Sequence, residues 1–180
     1  MPRTVRLLTL LLVFALPMGV DAAEKAGTVS RLKGAAIATQ AGESRALAVG
    51  APVFIGDRLS TGRDTRIEMN MTDGTILTLG DHSTFILEDY GESRGAVMEL
   101  VQGVLLGVSG TTFWGGQETD RLGVVMLEGT AVTVTTAGGT VELTEPYAST
   151  NVTDPTQVPT PPGTWSPERL ATARKTVSFE

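Results

Sequence analysis

From Arg66 to Thr72 the residues alternate, with Ile67, Met69 and Met71 on one side and Arg66, Glu68, Asn70 and Thr72 on the other. That period belongs to a strand with one face in water. Asp73-Gly74 breaks the pattern, and Leu77 and Leu79 resume it. A two-residue turn would set Met69 opposite Thr78 and Glu68 opposite Leu79, mixing the faces. A three-residue loop of Thr72, Asp73 and Gly74 instead opposes Met71 with Thr75, Met69 with Leu77 and Ile67 with Leu79. Such a loop is a type I turn followed by a residue at positive φ, which suits Gly74, while Asp73 accepts from nearby amides. The pattern predicts a bulged hairpin.

Around this hairpin, Gly56-Asp57 and Thr61-Gly62 bracket Arg58 to Ser60, which reads as a tight corner between strands. Pro52 suits the first residue of a strand or an edge. Upstream, two short strands are expected between Gly27 and Val49, with Val29, Leu32, Ala35 and Ile37 as the apolar set and Thr28, Ser30 and Arg31 in water. Gln40 to Ser44 reads as the turn between them. Downstream, Phe85 and Leu87 mark a strand over 84–90, Glu92 to Gly95 a hairpin tip, and 96–101 its return. Val104 to Val108 is apolar on both faces, as in a central strand. The runs 123–127, 131–135 and 140–144 predict a three-strand meander. Ala148 to Gly163 is rich in Thr and Pro and reads as an extended surface linker. Ser166-Pro167-Glu168 opens a short helix with Leu170, Ala173 and Val177 on one face. The fold class that follows is all-β: a single antiparallel sandwich or roll of short strands and hairpins, then the linker and the helix.

The run Gly50 to Gly62, ending in GDRLSTG, together with RIEM at Arg66–Met69 and DGTILTLG at Asp73–Gly80, resembles the periplasmic domain of the FecR family. The likeness extends to Gly27-Thr28-Val29, to Leu100-Val101-Gln102-Gly103, and to the run GTTFWGG at Gly110–Gly116. It implies a non-catalytic binding or signalling module, with Gly56, Asp57, Thr61, Gly62, Asp73, Gly74 and Gly80 as turn residues of the motif. Membrane-bound members carry an anti-sigma segment and a transmembrane helix before this domain. Lacking those, the chain is expected to be a stand-alone exported member. Family members also place further strands before the GTTFWGG-like run, and their absence here predicts an exposed sheet edge.

Arg3 and Arg6, an apolar run to Val20 and the small residues Ala22-Ala23 make a secretory leader over residues 1–23. Periplasmic or secreted localisation follows, with no membrane span after cleavage. The expected layout is a leader at 1–23, the FecR-like β domain at 24–146, the linker at 147–164 and the helical tail at 165–180. The formal charge of −6 becomes −7 once the leader's two arginines and one aspartate are removed, which argues against nucleic acid as a partner. With no cysteine, disulfides and thiolate chemistry are excluded. A domain of this length buries about 70% of its unfolded surface, enough for a core without cross-links.

Asp81-His82-Ser83 has the composition of a hydrolytic triad, but adjacent residues cannot converge on one substrate atom. With His82 the only histidine, imidazole-based zinc chemistry is excluded too. Neither cofactor nor metal is expected. Three functions remain in competition: a binding or signalling module contacting an envelope protein or glycan, a structural envelope or matrix protein, and a glycan hydrolase using a pair among Asp57, Asp73, Asp81, Glu88 and Asp89. Phe113 and Trp114, flanked by Gly110, Gly115 and Gly116, form the candidate partner surface. Trp114 either anchors a partner there or folds back as a lid on the core. Trp165, in the polar tail, serves as the fluorescence contrast to Trp114.

Overall fold

The computed structural model describes residues 23–91 and 95–180. The leader and the tip of the hairpin at 92–94 therefore lie outside the described residues. The first strands are β1 (Lys25–Lys33), β2 (Ala36–Gln40), β3 (Glu43–Ala46), β4 (Pro52–Phe54), β5 (Arg58–Thr61), β6 (Arg66–Met71), β7 (Ile76–Leu79), β8 (Thr84–Gly91) and β9 (Gly95–Gln102). Then follow β10 (Val104–Ser109), β11 (Thr111–Gln117), β12 (Leu122–Glu128), β13 (Val132–Thr136), β14 (Gly139–Leu143), β15 (Ala148–Val152), β16 (Gly163–Thr164) and the helix α1 (Pro167–Thr176).

Alternation decides which side of each strand is buried. Ile67, Met69, Leu77 and Leu79 are sealed from solvent, and they point with Val29 and Leu105 toward Leu59, Phe85 and Leu87 of the facing sheet. The result is an antiparallel β-sandwich. Its larger sheet has nine strands in the order β16-β15-β12-β11-β10-β7-β6-β1-β4, and its smaller one has five in the order β3-β2-β5-β8-β9. The hairpin register is the one that face agreement requires, with Met69 opposite Leu77 and Ile67 opposite Leu79. Met71 N–H donates to Thr75 O at 2.8 Å, Asp73 Oδ1 accepts from Thr75 N–H at 2.7 Å, and Gly74 has φ +86°. Pro52 opens β4 at the sheet's edge, and β10 lies centrally between β7 and β11.

Several expectations are corrected. Arg58 to Ser60 is no corner: β5 is the middle strand of the smaller sheet, hydrogen-bonded to β2 and β8. Its shortness reflects a chain that crosses from sheet to sheet every few residues. Between Gly27 and Val49 there are three strands rather than two, because the chain breaks at Gly34-Ala35, with Gly34 at φ +85°, and passes from one sheet to the other between β1 and β2. In β2 it is Ala36 and Ala38 that face the core, while Ile37 is 46% exposed. The meander does not form either. β12 pairs with β11 and β15, whereas β13 and β14 make a separate hairpin. That hairpin lies against β12, packing Leu143, Val132 and Val134 on Val124 and Met126.

The expected linker at 147–164 is partly sheet. β15 pairs with β12, β16 pairs with β15, and Ser149 and Thr150 are buried. Threonines do the tying: Thr150 Oγ1 donates to Thr160 O at 2.6 Å and Thr136 Oγ1 to Gln157 O at 2.6 Å. A Thr- and Pro-rich composition here supplies hydrogen bonds instead of flexibility. Of the strands around the shortened segment, β10 and β11 each have neighbours on both sides, while β9 forms an edge of the smaller sheet.

The hairpin loop is fastened to the other sheet through Tyr90, whose hydroxyl donates to Asp73 Oδ1. Burial, then the hydrogen bond to Asp73, pushes the Tyr90 hydroxyl up to about 12. Burial works against ionising Asp73, but the hydrogen bonds from Tyr90 and Thr75 outweigh it and hold its carboxyl below the ordinary 3.8. A lowered carboxyl pKa contributes stability above the unfolded value that is lost as pH falls through the folded one. Wild type is therefore expected to lose more stability than Tyr90→Phe on acidification from neutral pH to below 3.8, read from urea midpoints. Parallel loss in both proteins would contradict the coupling. Gly74 has no atom within 4 Å of an added Cβ, so Gly74→Ala tests backbone conformation alone. A loss of about 1 kcal/mol or more is expected in chemical denaturation. An unchanged midpoint would contradict the bulged loop.

Candidate functional site

Glycines clear the outer face of the nine-stranded sheet. Gly116 stands between Val104 and Gly123 across β10, β11 and β12, leaving two bare positions beside the Val104 side chain. A Cβ on Gly116 would come within 2.2 Å of the Trp114 ring, and one on Gly123 within 2.8 Å of Trp165. On Gly80 it would meet the Thr176 carbonyl at 2.8 Å. Two indoles and a helix end fill the space thus left, with Trp114 and Trp165 meeting edge-on at 5.3 Å and 70°.

The helix α1 closes over them through Leu170, Ala173 and Val177. Ser166 Oγ accepts from Arg169 N–H at 3.3 Å, Pro167 takes the first turn, and Glu168 lies where the helix dipole favours an acid. Arg169 stacks on Trp165 at 3.8 Å and donates to both oxygens of Glu118 at 2.8 Å. Trp114 Nε1–H donates to Thr176 Oγ1 at 3.1 Å.

Trp114 is consequently 4% exposed and Trp165 5%. The candidate partner surface at Phe113 and Trp114 is corrected: Trp114 is a core lid, and Phe113 faces the other way, against Gly107 and the core between the sheets. The aromatics lie within β11, not on a loop, and Gly115 and Gly116 are strand residues. Trp165 is likewise buried.

The motif residues hold corners. Asp57 is wholly buried, accepting from Phe54 N–H at 2.8 Å, from Arg45 Nη1 at 2.9 Å and from Arg45 Nη2. Thr61 Oγ1 donates to Gly80 O at 2.7 Å and accepts from Ser83 N–H at 2.8 Å. Gly56 has φ +85°, and Gly62 N–H donates to Ala35 O at 3.1 Å. Asp73 and Gly74 shape the hairpin loop.

The same commitments occupy the candidate carboxylates. Asp57 is paired with Arg45, Asp73 is held by Thr75 and Tyr90, and Asp81 pairs with Arg66 at 3.4 Å. Asp89 accepts from Tyr90 N–H, and Glu88 is exposed. Ser83 Oγ is buried and accepts from Val104 N–H at 2.9 Å, while His82 projects into solvent at φ +47°. Among the described residues no three His, Cys, Asp or Glu side chains group closely enough to hold a metal ion.

What remains open is a groove of about 670 Å³ beside α1, lined by Leu106, Leu127, Val177, Pro146 and Tyr147, with Glu128 and Arg174 contributing charge of each sign. Tyr147 is held at φ +66° and is 43% exposed. Such a backbone costs a non-glycine residue about 1–2 kcal/mol, so an aromatic kept there marks a candidate site. Reading 147–164 as linker hid it, although a lone tyrosine after Pro146 in a Thr- and Pro-rich tract was the available signal. No protein-family model, curated protein or solved structure matches the chain.

Burial of Trp114 under α1 has a direct consequence. In a Trp165→Phe variant, acrylamide should quench the remaining Trp114 emission only weakly, and Trp114→Ala should cost about 3–5 kcal/mol. Strong quenching with unchanged stability would return the ring to the surface.

Proposed function

We propose that the protein is an exported, FecR-like, non-catalytic module that binds a protein or other component of the bacterial envelope, in the periplasm or outside the cell. The groove beside α1 carries this reading: an apolar floor, an exposed aromatic and two opposite charges make a recognition surface. Asp57, Asp73, Asp81 and Ser83 have structural partners, and the exposed His82 lies against its neighbour Asp81 at 3.3 Å and away from the buried Ser83 hydroxyl's bond to Val104, which favours binding over hydrolysis. Among the described residues no helix is long and apolar enough to cross a membrane. The FecR likeness rests on the motif residues, and their corner-holding contacts around Asp57, Thr61 and Gly80 give those residues a physical reason to be where they are. A signalling role is part of that likeness.

The test uses a substitution that spares the backbone. Tyr147→Gly removes the ring at a φ that glycine prefers, so a changed result is not a folding defect. Immobilised wild-type protein is expected to retain a defined component of an envelope extract that Tyr147→Gly fails to retain. Retention of the same components by both, or of none by wild type, would sink the proposal.

A further inference from the structure

The residues that follow α1 lie across the outer face as a bound peptide would. Arg31, Glu68, Thr78 and Leu106 are directly opposed on β1, β6, β7 and β10, forming one row across the sheet. Val177 to Glu180 run beside this row. Val177 is buried in the cluster to which Leu106 belongs, the Arg31 guanidinium sits 4.0 Å over the Phe179 ring, and Lys33 Nζ donates to Glu180 O at 3.5 Å. Arg31 is steadied by Glu68 at 3.7 Å, which itself accepts from Ser30 Oγ at 2.9 Å.

A second groove, of about 390 Å³, lies on the Arg31 side of this segment. It shares Leu106, Val177 and Ser178 with the larger groove, so the segment itself divides one channel into two. Its hold on the sheet is by side chains: the Val177 and Ser178 amides turn back to Arg174 and Lys175, and none of the segment's amides bonds to a strand. A segment held this way can be lifted without breaking the sheet. The chemistry of what fits the channel is displayed by its present occupant. It takes an apolar residue over Leu106, a small polar one, an aromatic under Arg31 and a main-chain carbonyl near Lys33.

We propose that this outer-face channel binds extended peptides of the pattern apolar, small, aromatic, and that Val177–Glu180 occupies it in cis until such a peptide displaces it. The inference rests on the reading of this face as a binding surface and names the partner class. Lys33 supplies a donor for the occupant's main chain, its Nζ lying 3.5 Å from Glu180 O. The face of an aromatic ring is the natural partner of a guanidinium. A tethered occupant competes at an effective concentration in the millimolar range, so wild type should bind a free peptide poorly.

The experiment follows fluorescence anisotropy of a labelled synthetic peptide, Ala-Arg-Lys-Thr-Val-Ser-Phe-Glu, titrated with the full chain. Phe179→Ala weakens the cis occupant and is expected to bind the peptide at least about tenfold more tightly than wild type, by raising the fraction of open channel. Adding Arg31→Ala to Phe179→Ala should abolish the gain. Near-UV circular dichroism of the Trp114–Trp165 pair verifies the fold, and Phe179→Leu, which keeps an apolar side chain but no ring for Arg31, replaces Phe179→Ala if that variant does not fold. Equal affinity of the variant and wild type, or a gain that survives Arg31→Ala, would overturn the proposal. If capture of an envelope component is lost in Tyr147→Gly while the peptide fails here, the peptide class falls and the binding surface stands.

Discussion

Each time the chain leaves one sheet for the other, a stretch of backbone loses the ladder that would have satisfied it. Buried amides and carbonyls must be paired somewhere, and this chain pairs them with side chains at the crossings. Thr65 Oγ1 accepts from Ala35 N–H where β1 gives way to β2, and Asp57 accepts from Phe54 N–H between β4 and β5. Thr61 and Ser83 do the same between β7 and β8, and Ser83 reaches on to Val104 at the start of β10. All four of these side chains are buried. Removing one would strand backbone groups in a dry junction and leave the apolar faces of the two sheets without a fixed alignment.

That framework commits the inner faces to the core, and glycines shape the outer surface of the larger sheet. There the design is steric. Gly80, Gly116 and Gly123 remove side chains where Trp114, Trp165 and the end of α1 come down. The helix is short and is held as much by polar as by apolar contacts, with Arg169 joining Trp165, Glu118 and Asn151. The segment beyond α1 is held by side-chain contacts to Arg31 and Lys33 of β1. Grooves flank that segment on both sides.

Legibility in the sequence followed the range of the interaction. The β6–β7 hairpin was readable because strict alternation and a single positive-φ residue admit one register, and α1 was readable from Ser166, Pro167 and its apolar spacing. Arg58 to Ser60 was misread, because three residues between turns look like a corner unless the strands on either side are known. β15 escaped for a related reason: Ser149 and Thr150 are buried by pairing with β12 and by Thr160, not by hydrophobicity, and no local pattern reports that.

What the sequence alone determined is therefore local: the strand faces, the bulged hairpin, the helix cap and the absence of thiol chemistry. These depend on residues within a few positions of one another. Tertiary structure decided the rest. It set Gly116, an apparent loop glycine, beside Gly123 in the floor under two indoles, and it buried a tryptophan that glycine flanks had suggested was on display. It also brought Tyr147, Arg174 and Leu106 to one groove. Such placements depend on which strands become neighbours, and a pairing between residues tens of positions apart leaves no mark in the periodicity of either.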